Sequence, residues 1–299
     1  MAAESLHLKN EPSQTMNLID KKIDRLLLSF NKKYRRFIDA KFHKIPATKS
    51  ALGFLFSGNE SMISGSFEVE ETHLIKKLLQ SVDVFVNVGA NIGYYCCLSM
   101  QENVPVIAFE PESQNLKFLL KNIQANGWEN DIEVYPLGAG RFVGIANMYS
   151  EGTGASLIKG WSKSSSDLVA SIPISSLDLV IGDRLANKKT LVLIDIEGAE
   201  YSALLGCSKL VSQINKPIWV VEICTTQHQP SGVQMNPHFL ETFSFFWDNG
   251  YAAYTATLPT KPISKDEILK IHSKKIDTLK VHNFIFVEQN IDINTLLWI

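Results

Sequence analysis

Two groups of residues in this sequence have the types and spacing to do chemistry. The first is Gly89-Ala90-Asn91-Ile92-Gly93, with Glu110 standing 21 residues beyond Gly89 and followed by Pro111. Glycines let a ligand approach the main chain without a Cβ in the way, and backbone N–H groups at the start of a helix attract an anionic group. An acidic side chain at the end of the next strand can accept hydrogen bonds from both hydroxyls of a ribose. Together they point to a nucleoside-containing cofactor, although Glu110 also reads as an ordinary acidic charge ahead of a helix at 113. The second group is Asp195-Ile196-Glu197-Gly198-Ala199-Glu200, with Glu222 and His228 further along. A carboxylate or an imidazole within hydrogen-bond reach can take the proton of an attacking hydroxyl. Asp195 is the first candidate for that base and His228 the second, the bland alternative for His228 being a solvated loop residue. Asp195 with Glu197 or Glu222 could instead hold a divalent cation such as Mg²⁺, which is the less favoured reading. Glu200 reads as structural, meeting backbone N–H groups at a helix start.

The elements that must position these residues are strands and helices in alternation. Val84 to Val88 read as a buried parallel strand running straight into the glycine loop, and YYCCLSMQ as the helix that follows. VPVIAFE (104–110) is the next strand, and SQNLKFLLKNIQANG (113–127) a helix stopped by Asn126 and Gly127. DIEVYPLG (131–138), LVLID (191–195) and PIWVVEI (217–223) continue the pattern, with further strands at 251–254 and 283–289. GIANMYS with residues 154–157 suggests a hairpin, ASIPISSLDLVI an edge strand and a short helix near Ser176, and Lys265 to Ile271 a polar helix. Such alternation predicts a parallel sheet covered on both faces, where ligands bind beyond the carboxyl ends of the strands.

The loop also bears on which cofactor is held. A dinucleotide fingerprint wants Gly-x-Gly-x-x-Gly, its second glycine admitting a pyrophosphate. Asn91 leaves less room there but can bond a smaller amino-acid head group, which favours S-adenosylmethionine over NAD. In their order and separation, VNVGANIG, FEPESQNLKFLLKNIQANG, GTGASL, ISSLDLVI and LVLIDIEGAEYSALLG resemble the FkbM family of S-adenosylmethionine-dependent methyltransferases over roughly residues 65 to 255. The resemblance implies a class I (Rossmann-like) α/β fold, a seven-stranded mostly parallel sheet with an antiparallel last strand. It implies O-methylation of hydroxyls on sugars, glycolipids, polyketides or similar small molecules. Carried onto this chain, it assigns Gly89, Asn91 and Gly93 to the methionine end of the cofactor and Glu110 to the ribose. Asn87, Ala90, Pro111 and Glu197 complete the cofactor-binding set, and Asp195, Glu197 and Glu200 fall at the active-site end of the fourth strand. This chain departs from the family pattern at Asn87, where Asp is usual, and at Leu193, where Lys is common.

Bulk properties limit the remaining choices. With 299 residues, 45% apolar and 20% charged, the chain can build one large domain and an appendage. No apolar run approaches the roughly 20 residues that cross a bilayer, and the N-terminus lacks a secretory pattern, so a cytoplasmic protein is expected. Four cysteines, at 96, 97, 207 and 224, follow neither a zinc nor a disulfide spacing. A net charge of −2 gives no global case for nucleic acid. Residues 21–44 carry nine Lys or Arg against two Asp with apolar residues at helical spacing. That stretch fits a helix packed on the main domain or on a second subunit of a homo-oligomer, or an arm on an anionic membrane surface. We therefore expect an N-terminal extension at 1–50 and a methyltransferase domain at 51–299, acting on a small-molecule or glycan acceptor. The competing readings are a catalytically inactive binding subunit of the same fold and a nicotinamide-dependent oxidoreductase.

Overall fold

The computed structural model describes residues 45–149, 152–163 and 169–297. The basic stretch at 21–44 lies outside the described residues. From Ala47 onward the chain forms one compact unit.

A single large sheet carries the architecture. Its strands in chain order are β1 (Val84–Val88), β2 (Val106–Phe109), β3 (Ile132–Tyr135), β4 (Thr190–Ile194), β5 (Ile218–Glu222), β6 (Tyr251–Thr255), β7 (Pro262–Ile263) and β8 (Asn283–Glu288). In space they run β7-β6-β8-β5-β4-β1-β2-β3. Pairing is parallel from β3 through β5, and β8 lies antiparallel to both β5 and β6. The seven strands with one antiparallel member agree with expectation. The eighth strand is the two-residue β7, paired with the free edge of β6.

All five residues of β1 are buried, which is why VFVNV reads as an unbroken apolar run apart from Asn87. Phe85, Leu191, Leu193, Val220 and Ile285 face one layer, which includes α1 (Val69–Leu79), α2 (Tyr94–Gln101) and α3 (Ser113–Asn126). Val86, Val88, Ile194, Trp219 and Phe286 face the other, with α4 (Glu200–Leu204) and α5 (Phe239–Asp248). Each fully buried Leu, Val or Phe contributes about 1.5–3 kcal/mol by leaving water, so burial on both faces fixes the sheet between the two layers. The helix after β2 starts with Glu112, whose carboxylate accepts from the N–H groups of Gln114 at 2.8 Å and Asn115 at 2.7 Å. It ends at Gly127, which is left-handed.

Residues 138–175 form a separate small sheet rather than the isolated hairpin expected. The strand Val169–Ser175 lies between Gly138–Ala139 and Gly144–Tyr149, and Tyr149 bridges to Ser156. Ser176 then caps the short helix Leu177–Ile181, as its position predicts. Among the described residues no helix is long and apolar enough to cross a membrane.

Candidate active site

Strand order reverses between β1 and β4, and the chemistry gathers at their carboxyl ends. Gly89, the first residue after β1, has φ +86°, and a Cβ added there would stand 1.8 Å from the carbonyl oxygen of Asp195. Only glycine allows the two strand ends to close on each other. Asn91 takes a left-handed backbone as well (φ 52°), a conformation Asn tolerates better than most residues.

Glu110 holds this loop in place. One carboxylate oxygen accepts the N–H of Asn91 at 2.7 Å; the other accepts the N–H of Glu112 at 2.8 Å and faces Asn115 Nδ2 at 3.5 Å. The side-chain cap of the following helix is Glu112, two residues further on, while Glu110 braces the loop. Glu110 is buried, and burial pushes its carboxyl up to about 7 against the hydrogen bonds that favour the charge.

A cleft runs from this loop to the end of β4. Gly89, Asn91, Glu110, Pro111, Asn115, Asp195 and Glu197 supply polar wall, and Phe109, Leu137, Met148 and Leu157 supply apolar wall. Its empty space, open mouth included, is about 610 Å³. The structure thus brings six of the sequence candidates together. It sets the others apart. Ala90 is buried behind the loop, where its N–H donates to Phe109 O at 2.9 Å, and Gly93 begins α2. Asn87 is buried at 2% exposure; its Nδ2 faces Cys96 Sγ at 3.3 Å while its Oδ1 has no protein partner. Leu193 is an ordinary core residue.

His228 is exposed and does not line the cleft. It stacks at 6.0 Å on Trp161, and its Nδ1 meets Ser162 Oγ at 2.9 Å. Trp161 in turn packs over Gly198, where a Cβ would come within 2.6 Å of its ring, and its indole N–H donates to Glu197 Oε2 at 2.7 Å. Ser156 Oγ donates to the Glu197 carbonyl at 2.5 Å. His228 therefore reaches the site only through Trp161, a residue that its sequence context leaves unassigned.

On the far side of Asp195 stands a group of acids that no motif announces. Glu222 is hydrogen-bonded to Asp195. Glu68 takes the hydroxyl of Tyr95 at 2.7 Å, and Glu71 accepts from Asn283 Nδ2. A hollow bordered by Glu68, Glu71, Thr257, His282 and Asn283 opens there. Burial raises Asp195 well above the usual carboxylate range and pushes Glu71 and Glu222 to about 8, with neighbouring carboxylates adding to each. Glu200 is also pushed to about 8 by burial, while its Oε1 accepts the N–H groups of Gly198 at 2.9 Å and Ile196 at 3.3 Å, the structural part expected of it. Glu197 is turned to Trp161 and Asp195 to Glu222. Among the described residues no three His, Cys, Asp or Glu side chains are disposed to hold a metal ion.

A parallel sheet ordered 3-2-1-4-5 with an antiparallel strand beyond it, and a glycine loop and acidic strand ends at its reversal, define a class I methyltransferase-like α/β fold. Comparison with known families makes this specific: the FkbM methyltransferase domain matches residues 87–253, and the chain belongs to that family. Among solved structures it is similar to a methyltransferase FkbM from Methylobacillus flagellatus KT, at 18% identity and a TM-score of 0.42, over 69% of this chain and 43% of that one. An O-methyltransferase from Bacillus cereus in complex with SAH matches at 10% identity and TM-score 0.36, over 72% of this chain and 78% of that one. A precorrin-6y C5,15-methyltransferase from Geobacter metallireducens GS-15 matches at 13% and 0.36, over 77% and 92% respectively. No curated protein matched the chain.

Proposed function

We propose that this methyltransferase uses S-adenosylmethionine to methylate a hydroxyl of a small molecule, a sugar or glycan/glycolipid acceptor above all. The observation that carries the reading is the position of Glu110: a buried carboxylate at the end of β2 that braces the glycine loop and lines the cleft leading to Asp195. The residues present fit the cofactor. Gly89 admits main chain and ligand where no Cβ would fit, Glu110 offers carboxylate lone pairs for ribose hydroxyls, and Phe109, Leu137, Met148 and Leu157 give an apolar face for a base. Asn87 Oδ1, buried without a partner outside the cleft lining, is an acceptor that reaches the methionine end only through a water.

When bound, the cofactor supplies an electrophilic methyl group on a positively charged sulfur. The chain's own part is to orient and to move a proton. Asp195 takes the proton of the acceptor hydroxyl, or fixes that hydroxyl for attack, and the apolar cleft wall excludes water. The carboxylates and amide around the hollow at Glu68, Glu71 and Asn283 are acceptors and donors of the kind that bind polyols. The four thiols, all buried and free, suit a reducing cytoplasmic setting.

Titration of the full chain with S-adenosylmethionine and with NAD tests the cofactor, and transfer of labelled methyl to a panel of hydroxylated acceptors tests the reaction. Heat from NAD and none from S-adenosylmethionine would overturn the reading. Binding without transfer to any acceptor would favour the inactive binding subunit.

A further inference from the structure

The carboxyls at the ends of β4 and β5 stand side by side on neighbouring strands. Parallel pairing sets Val221 beside Ile194, so Glu222 and Asp195 come next in line on neighbouring strands, and their side chains are hydrogen-bonded to each other. Two carboxyl groups can share a hydrogen bond only if one of them carries a proton. The charged groups that act on the pair come from each side: Glu197 and Glu200 from the segment after β4, Glu68 and Glu71 from the start of α1. All are carboxylates. Cys224 Sγ, 3.6 Å from Glu222 Oε1, adds a weak donor, and Tyr95 donates to Glu68. Among the described residues the ion pairs Lys76–Glu102 and Arg184–Glu133 involve none of these groups. Neither of these ion pairs gives the carboxyls a counter-charge, and the ligand of the reading above brings one.

We propose that Glu222 is a positioning residue acting through Asp195: the two carboxyls share one proton in the unliganded protein and release it when the cationic cofactor binds, leaving Asp195 ionised as the base. The inference rests on the cofactor assignment made above. Its proton balance closes. Binding sends one proton to the buffer. In the transfer, an oxygen–methyl bond forms as the sulfur–methyl bond breaks, and the hydroxyl proton goes to the Asp195–Glu222 pair. The product sulfur is uncharged, so nothing then drives the proton off again, and the pair returns to its starting state.

Calorimetric titration of the full chain with S-adenosylmethionine at pH 7, in phosphate and in Tris, reads the proton directly, because the buffers differ in ionisation enthalpy. The wild type is expected to release roughly half to one proton per cofactor bound. S-Adenosylhomocysteine carries the same amino and carboxylate groups without the sulfonium and should release clearly less. Glu222→Gln should keep binding while losing at least half of the release, since the amide removes the like-charged neighbour and offers its own N–H to Asp195, both of which favour the ionised carboxylate against its burial. Glu222→Asp, which restores the second carboxyl, should retain it. Binding with the same heat in both buffers, or equal release by the wild type and Glu222→Gln, would overturn the role of Glu222 alone. Failure of S-adenosylmethionine to bind at all, checked by equilibrium dialysis, would overturn the cofactor assignment with it.

Discussion

Replacing Glu110 by Gln should separate the observed task of this residue, bracing the loop, from the proposed one, binding the cofactor. The carboxyl of Glu110 is raised from 4.5 to about 7, chiefly by burial. The sign follows from proton counting: between those values the unfolded chain has lost the proton and the folded protein still holds it, so stability falls as pH rises through the window. The gap, at about 1.4 kcal/mol per tenfold change in proton affinity, amounts to about 3 kcal/mol as an upper bound. At pH 5.5, only about one pH unit above the unfolded value, most of the cost is still to come, and Glu110→Gln should be the more stable by only about 1.4 kcal/mol. At pH 8.5 the amide escapes the cost of a buried charge, and Glu110→Gln should be the more stable by up to about 3 kcal/mol, or roughly 6–12 °C for a domain this large. Thermal or urea unfolding of the unliganded protein at the two pH values measures this. A difference that is the same at both would refute the argument that burial dominates at Glu110. The same variant at pH 8.5 should bind S-adenosylmethionine about 10- to 150-fold more weakly, the usual loss for hydrogen bonds to a charged group. Unchanged affinity would remove Glu110 from the ribose.

Other substitutions test neighbouring steps. Gly89→Ala puts a Cβ 1.8 Å from the Asp195 carbonyl oxygen on a backbone at φ +86°, so a loss of about 4 kcal/mol or more, read by urea unfolding, is expected; an ordinary folding midpoint would show that the two strand ends can separate freely. Trp161→Phe keeps the ring over Gly198 but removes the 2.7 Å bond to Glu197, and should cost about 1–3 kcal/mol of stability by the same measurement, an effect within 0.3 kcal/mol (about half of RT) arguing that water replaces the indole N–H. Arg184→Ala breaks a bidentate pair with Glu133 (2.7 and 2.8 Å) in which both side chains are nearly half exposed. It should cost only about 0.2–1 kcal/mol and leave cofactor affinity untouched, and a change in affinity would connect this edge of the sheet to the site in a way its contacts do not.

The parallel core was legible because its strands are buried on both faces. An apolar run such as TLVLI, buried at all five positions, has no alternation to misread. The small sheet at 138–175 was harder. Its strand Gly144–Tyr149 alternates half-buried with exposed residues and pairs with a partner beginning at Val169, beyond a long connection. A sequence reader therefore closes the nearer hairpin, with residues 154–157, of which only the Tyr149–Ser156 bridge exists.

The site divides along the same physical line. Gly89, Asn91, Glu110 and Asp195 were legible because each sits at the end of a strand, where topology alone brings them to one edge. His228 also follows a strand, yet its position depends on a side-chain stack with Trp161, which no periodicity encodes. The acids across from Asp195 show the limit most clearly. Glu71 and Asn283 meet although 212 positions apart, one from the helix before β1 and the other from the first residue of the antiparallel strand. Neither belongs to a motif, and each alone reads as a solvated surface residue. Only the reversal of β8 beside β5, with Asn283 opposite Glu222, carries that amide to the edge where Asp195 ends. The half of the site proposed for the cofactor is thus written in consecutive segments. The half proposed for the acceptor is assembled from distant ones, and must be read from the folded edge.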